Sequence, residues 1–159
     1  MNAHSHRLRV GRYSALAETY LVTTATEGRV RLFRNPVNAS IVSASIDFLS
    51  NRLVYSFAWV VMPDHIHWVL QPTESPLSTV MLRLKNWTGR EINRALRRKG
   101  KPVWQSGYHE RRLVSQKSLV QAVNYVANNP VVAGLARKPG EYQWVFVGDP
   151  GPEWNGRFE

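Results

Sequence analysis

Two apolar runs, 53–61 (LVYSFAWVV) and 65–71 (HIHWVLQ), are separated only by Met62-Pro63-Asp64. Runs this short and this rich in β-branched and aromatic residues read as strands. The proline-containing break between them leaves room only for a tight reversal, so the pair predicts an antiparallel hairpin. Residues 20–26 (YLVTTAT) predict another strand, ended by Glu27-Gly28. Val37, Ile41, Ile46, Phe48 and Leu49 are spaced as in a helix, and Pro36 suits its first turn, giving a helix over 36–50. A second helix is expected over 77–99, from Leu77, Val80, Met81, Leu84, Trp87, Ile92, Ala95 and Leu96, with Gly100 as its stop. Residues 103–114 read as extended with a turn at Ser106-Gly107. Ser115 resembles the N-cap of a third helix, running from about residue 117 to Asn129 and ending before Pro130. The order β-α-β-β-α-β-α predicts an α+β fold, a ferredoxin-like antiparallel sheet with helices on one face.

At 159 residues, one domain over 1–147 is expected, with a basic arm over 1–14 and a flexible Gly- and Pro-rich tail over 148–159. The absence of cysteine excludes a disulfide scaffold, a thiol nucleophile and Cys-ligated zinc or iron–sulfur sites. The basic N-terminus has no apolar stretch behind it, which argues against a secretory signal. The longest apolar run, 57–63, falls far short of a membrane span, so a soluble intracellular protein without a membrane partner is expected. The 21 Lys and Arg outnumber 11 Asp and Glu, a net charge of +10. Such an excess points to an anionic partner, and nucleic acid leads because phosphate neutralisation releases counterions.

His65 and His67 stand two apart on a strand, so both imidazoles project from one face while Ile66 points the other way. Two imidazoles on one face can grip a divalent metal, but they leave the site incomplete. A bare pair of this kind is more often an ordinary surface or core pair. The apolar strand before it and Trp68-Val69-Leu70 after it weigh against that, because polar residues in a central sheet need a reason. On the third helix Leu119, Ala122, Val123 and Val126 form an apolar stripe, with Gln121, Asn124 and Asn128 opposite. Tyr125 and Asn129, one turn apart, fall at the border of the stripe. A border tyrosine and a helix-capping asparagine would also fit that position. The functional alternative makes Tyr125 a nucleophile on a phosphodiester and Asn129 an oxygen ligand completing a two-histidine site. A tyrosine with an ordinary pKa near 10 needs help at neutral pH, which a metal polarising the phosphate supplies. One oxygen and two nitrogens suit Mg²⁺ or Mn²⁺.

Four stretches now carry a resemblance. They are Gly11-Arg12-Tyr13-Ser14, Met62-Pro63-Asp64-His65-Ile66-His67, Trp104-Gln105-Ser106-Gly107-Tyr108-His109-Glu110, and Tyr125-Val126-Ala127-Asn128-Asn129-Pro130 followed by Ala133-Gly134-Leu135. In their order and spacing, over residues 9–147, the chain resembles the REP-associated tyrosine transposases of the HUH single-tyrosine superfamily. The resemblance implies an HUH-type ferredoxin-like fold and cleavage of single-stranded DNA near repeat (REP) hairpins. It implies a covalent 5′-phosphotyrosine intermediate and a free 3′-OH. It makes His65, His67 and Asn129 the metal ligands, Tyr125 the nucleophile, and Gly11, Arg12, Tyr13 and Ser14 the reader of a short tetranucleotide beside the hairpin. Relatives often carry Arg where Val132 stands and His where Arg111 stands, which touches local DNA contacts rather than the chemistry. The resemblance favours a monomer while leaving a dimer open, and a cytoplasmic protein associated with the nucleoid through DNA.

Between residues 83 and 112 stand ten cations, Arg83, Lys85, Arg90, Arg94, Arg97, Arg98, Lys99, Lys101, Arg111 and Arg112, against Glu91 and Glu110. This concentration marks the expected phosphate-binding surface. Trp104 and Tyr108 lie within it, where exposed aromatics beside cations would stack on unpaired bases, although Trp104 fits a core position equally well. Three functions compete on the residues alone: a nicking and rejoining enzyme using Tyr125, a hairpin-binding module that does not cut, and a metal-dependent hydrolase using water. The last ranks lowest because only Asp64 offers a nearby carboxylate.

Overall fold

The computed structural model describes residues 18–150. The elements in chain order are β1 (Thr19–Ala25), α1 (Pro36–Ser50), β2 (Val54–Met62), β3 (His65–Pro72), α2 (Leu77–Ala95), β4 (His109–Leu113), α3 (Gln116–Val132) and β5 (Val145–Val147). The strands form one sheet in the order β4-β1-β3-β2-β5, with every neighbouring pair antiparallel. The first four strands give the expected ferredoxin-like arrangement. The short β5, which the sequence pattern did not reveal, extends the sheet beyond β2.

The hairpin is the centre of the fold. In β3, Ile66, Trp68 and Leu70 point to one face and are completely buried. They meet Val22 of β1 and the inward faces of α1 and α2, including Ile46, Met81, Leu84 and Ile92. Each fully buried aliphatic side chain of this kind contributes roughly 1.5–3 kcal/mol. The Trp68 indole N–H is satisfied by Ser56 Oγ at 2.8 Å. Val69 points to the other face, where Leu21, Ala58, Val60 and Leu113 meet Leu119, Ala122, Val123 and Val126 of α3. A register shift between Ser56 and Ala58 turns the inner half of β2 so that Ala58, Val60 and Met62 share that second face. The helices therefore cover both faces, α1 and α2 one and α3 the other, and not one face as the element order suggested.

Three local expectations change. Asn35 caps α1 and Pro36 starts it, but Val37 and Phe48 point outward, and Asn38, Ala39, Val42, Ser45, Ile46 and Leu49 form its buried face. Helix α2 ends at Ala95, short of Gly100, because Arg97 takes a left-handed φ of 55° that no helix continues through. Its Trp87 is half-exposed. Helix α3 carries the N-cap expected at Ser115, completed to a capping box by Ser118, but runs through Pro130 to Val132. Pro130 falls in the last turns, where only a few hydrogen bonds remain to be lost, and it packs inward.

Residues 148–150, the start of the expected flexible tail, are fastened. Gly148 N donates to Phe57 O at 2.7 Å, and Pro150 O accepts from Gln116 Nε2 at 2.5 Å. No described helix is long and apolar enough to cross a membrane.

Candidate active site

His65, His67 and Val69 share the sheet face that α3 covers, and α3 stops short of covering all of it. Its apolar stripe seals Val60 and Val69, while its border residues Tyr125 and Asn129 stand over the paired histidines. The result is a cavity of about 490 Å³ lined by His65, His67, Tyr125 and Asn129. The His67 and Tyr125 rings meet edge to face, centroids 5.1 Å apart, and the two histidine rings lie 4.8 Å apart. Tyr125 keeps about half its surface exposed, unlike the buried stripe beside it. The structure thus brings together all four residues that the sequence reading grouped.

The histidines are held by partners that the sequence reading did not assign. His65 Nδ1 donates to Asp64 Oδ1 at 2.7 Å. Asp64 also accepts from Arg29 Nε at 3.1 Å and Nη2 at 3.3 Å. Burial pushes the Asp64 carboxyl up, but the hydrogen bonds from Arg29 and His65 outweigh it and hold the group below the usual carboxylate range. His67 Nδ1 shares a 2.8 Å hydrogen bond with Thr23 Oγ1, its cross-strand neighbour in β1. Burial, reinforced by His65 and Arg29, depresses His67 to about 4, so its ring is neutral at physiological pH. Both Nδ1 atoms are engaged, which leaves Nε2 of each ring as the ligand nitrogen. This is the support that metal-binding histidines receive in general.

Among the described residues no cluster of three His, Cys, Asp or Glu could hold a metal ion. Two supported imidazoles and the Asn129 amide oxygen nonetheless fit a divalent cation that fills its remaining positions with water or phosphate oxygen. His109 also lines the cavity. It faces Thr23 across β1, in the same row as His67, and went unassigned because this row exists only once three strands have paired.

The expected DNA surface divides into parts. Arg90, Arg94, Arg97, Arg98 and Lys99 surround a hollow of about 690 Å³ at the end of α2. Arg94 is paired with Glu91 at 2.6 Å, and Arg98 Nε donates to Asn93 Oδ1 at 2.6 Å. Arg83 and Lys101 are exposed. Arg111 and Arg112 point to opposite faces of β4. Arg111 lies opposite Leu21, on the face of the histidine-lined cavity, and Arg112 pairs with Glu18 at 2.9 Å. Two members of the expected set serve the fold. Lys85 is half-buried, its ammonium donating to the carbonyls of Gln105 and Gly107. Trp104 is a core residue, not an exposed stacking platform. Its ring packs 5.3 Å from Phe33 and its indole N–H donates to Thr88 Oγ1 at 2.9 Å. Tyr108 is partly buried and lines the cavity of the two histidines. Gly11, Arg12, Tyr13 and Ser14 lie outside the described residues.

The fold is one found in transposases. A REP-associated tyrosine transposase bound to a REP hairpin superposes with a TM-score of 0.67 at 20% identity, over 89% of this chain and 92% of that one. A crystal structure from Deinococcus radiodurans R1, assigned as a transposase, superposes with a TM-score of 0.53 at 24% identity, over 74% of this chain and 95% of that one. No curated protein sequence is significantly similar to the chain. Residues 16–129 match the model of the IS200-like transposases, and the chain belongs to that family.

Proposed function

We propose that this protein is a single-stranded DNA endonuclease and strand transferase that nicks and rejoins DNA beside REP-like hairpins, with Tyr125 as nucleophile. The observation that carries this reading is the juxtaposition of the Tyr125 ring with His67 over a cavity that also holds His65 and Asn129. Reacting groups must approach within roughly 3–3.5 Å, and a tyrosine whose ring touches a candidate ligand is within reach of a phosphate held there.

His65, His67 and Asn129 would hold the divalent cation, Mg²⁺ or Mn²⁺. When bound, it polarises the scissile phosphate and offsets the charge that builds on its oxygens. The Tyr125 oxygen attacks phosphorus, an O–P bond forms, and the bond to the 3′ oxygen breaks. A 5′-phosphotyrosine and a free 3′-OH result. Attack by a 3′-OH on that ester reverses the step and rejoins a strand. Asp64 and Thr23 orient the two imidazoles, and burial keeps His67 neutral. The cationic hollow at the end of α2 suits the duplex stem, since phosphate contacts there need no base identity.

The relative bound to a REP hairpin supports the choice of hairpin DNA as partner. A monomer acting in the cytoplasm on host DNA is the simplest form of this reading. The second reading, a repeat-hairpin binder that does not cut, uses the same cations without Tyr125. Incubating end-labelled hairpin DNA with protein and Mg²⁺ or Mn²⁺ separates the two. Cleavage leaving a polymerase-extendable 3′ end, lost with Tyr125→Phe, supports the enzyme. Tight binding with intact DNA under both metals supports the binder.

A further inference from the structure

A second cavity, of about 370 Å³, lies on the other side of the loop over 105–108. All four residues of this loop line both cavities, so the loop is a partition between them. Lys85 holds it in place through the Gln105 and Gly107 carbonyls. The volume falls within the range of small-ligand pockets, roughly 300–1,000 Å³.

Its lining has a distinct chemistry. Met81, Leu82, Trp104 and Tyr108 supply apolar and aromatic surface, and Asn86 supplies an amide that both donates and accepts. One further wall residue is Gly89, in the interior of α2, where glycine is among the least favourable choices. Nothing in the packing requires it there. Its φ is not positive, and a Cβ built on it would meet no atom within 4 Å. The missing side chain leaves open space in the cavity wall. Arg83 and Arg90, exposed on the same helix, put positive charge nearby.

We infer that this cavity is a subsite for one unpaired nucleobase of the strand whose phosphate enters the catalytic cavity. The inference rests on the proposed DNA-processing function and names a place where the strand is read. A base seats flat against Tyr108, with its edge toward Asn86, while its backbone crosses the partition. Sequence preference beside the cut then depends partly on a pocket that contains none of the reacting groups.

The test compares wild type with Gly89→Leu, Gly89→Ala and Tyr108→Ala. Two probes are used, a DNA stem-loop with single-stranded flanks of mixed sequence and the same stem-loop cut flush. Gly89→Leu fills the cavity and improves the helix, so it is expected to weaken binding of the flanked probe about tenfold, with flush-probe affinity unchanged and thermal stability equal or higher. Gly89→Ala should bind both as wild type does, and Tyr108→Ala should repeat the selective loss. With 5-iodouracil in the flanks, photocrosslinking of wild type is expected at Tyr108 and is lost in Gly89→Leu. Wild-type binding of the flanked probe by a folded Gly89→Leu, or crosslinks mapping only elsewhere, would overturn the subsite. If Gly89→Leu does not fold, unchanged binding by Tyr108→Ala overturns it. The covalent adduct at Tyr125 is scored on the same DNA. Selective loss in Gly89→Leu with no adduct in wild type leaves the subsite standing and removes the nuclease. An adduct with no effect of Gly89→Leu does the reverse.

Discussion

The Tyr125 ring stands edge-on to that of His67, with centroids 5.1 Å apart and planes inclined by 68°. The two residues come from opposite sides of one layer boundary. His67 is fixed in the sheet by Thr23, and Tyr125 rides at the border of the helix that covers that face. This contact joins a candidate metal ligand to a candidate nucleophile.

Asp64→Asn weakens the anchor of His65 without emptying the position. The carboxylate ties His65 to Arg29, and removing its charge frees the imidazole to turn. Losses of about 10- to 100-fold in metal affinity are usual when such a support is removed. Mn²⁺ titration followed by calorimetry should show a loss of that size, with the urea midpoint little changed. Unchanged Mn²⁺ affinity would mean that His65 is not a ligand or does not need Asp64.

Thr88→Val separates the two roles considered for Trp104. Thr88 is completely buried and receives the indole N–H. Replacing its hydroxyl leaves that donor unsatisfied, which costs about 1–3 kcal/mol. Urea unfolding should register the loss while DNA affinity of the folded fraction stays within about twofold of wild type. A drop in affinity with no loss of stability would make Trp104 an exposed stacking platform and not a buried wall residue.

Alkaline pH should destabilise the fold through its tyrosines. Burial raises Tyr142, whose hydroxyl donates to Val61 O at 2.8 Å. Tyr20 is raised as well, by burial and then by its hydrogen bond to Glu18. A folded-state pKa above the ordinary 10.0 means that, beyond that pH, the unfolded chain has released protons the folded chain retains. Stability is therefore fully present below about pH 10 and falls as pH rises through the folded values. Urea midpoints from neutral pH to about pH 11 should show the decline, and Tyr142→Phe should flatten it. An equal slope in the variant would contradict the assignment.

The hollow at the end of α2 should set the salt dependence of binding. Arg97→Gly suits the left-handed backbone there, and Lys99→Ala removes a second exposed cation. Together they should lower the slope of log K against log salt by about 1–2, since each phosphate contact contributes roughly 0.9 on duplex DNA. Filter binding across a salt series checks this, and an unchanged slope would place the stem elsewhere.

What was legible from the residues was local. The Met62-Pro63-Asp64 break fixed the hairpin, and side-chain alternation placed both histidines on one face. The 3.6-residue period left Tyr125 off the buried stripe. What was hidden depends on distant segments meeting. Thr23 reaches His67 across 44 residues of sequence. The side of the sheet chosen by α3 is invisible to any single helix pattern, and the run of ten cations looked continuous because nothing local shows that Lys85 turns inward to hold a loop. Trp104 sat in a charged neighbourhood of sequence, yet a backbone bridge to Thr26 brings it to the sheet and its ring packs against Phe33 and Thr88.

In the proposed reaction Tyr125 becomes covalently joined to DNA. Labelled single-stranded DNA carrying REP-type hairpins and their flanks, incubated with protein and Mg²⁺ or Mn²⁺, is resolved on a denaturing gel, and the shifted band is mapped by mass spectrometry. The expected result is an adduct on Tyr125 that disappears with Tyr125→Phe and with chelator. An adduct or cleavage that survives Tyr125→Phe, or tight binding that yields neither with either metal, would contradict it.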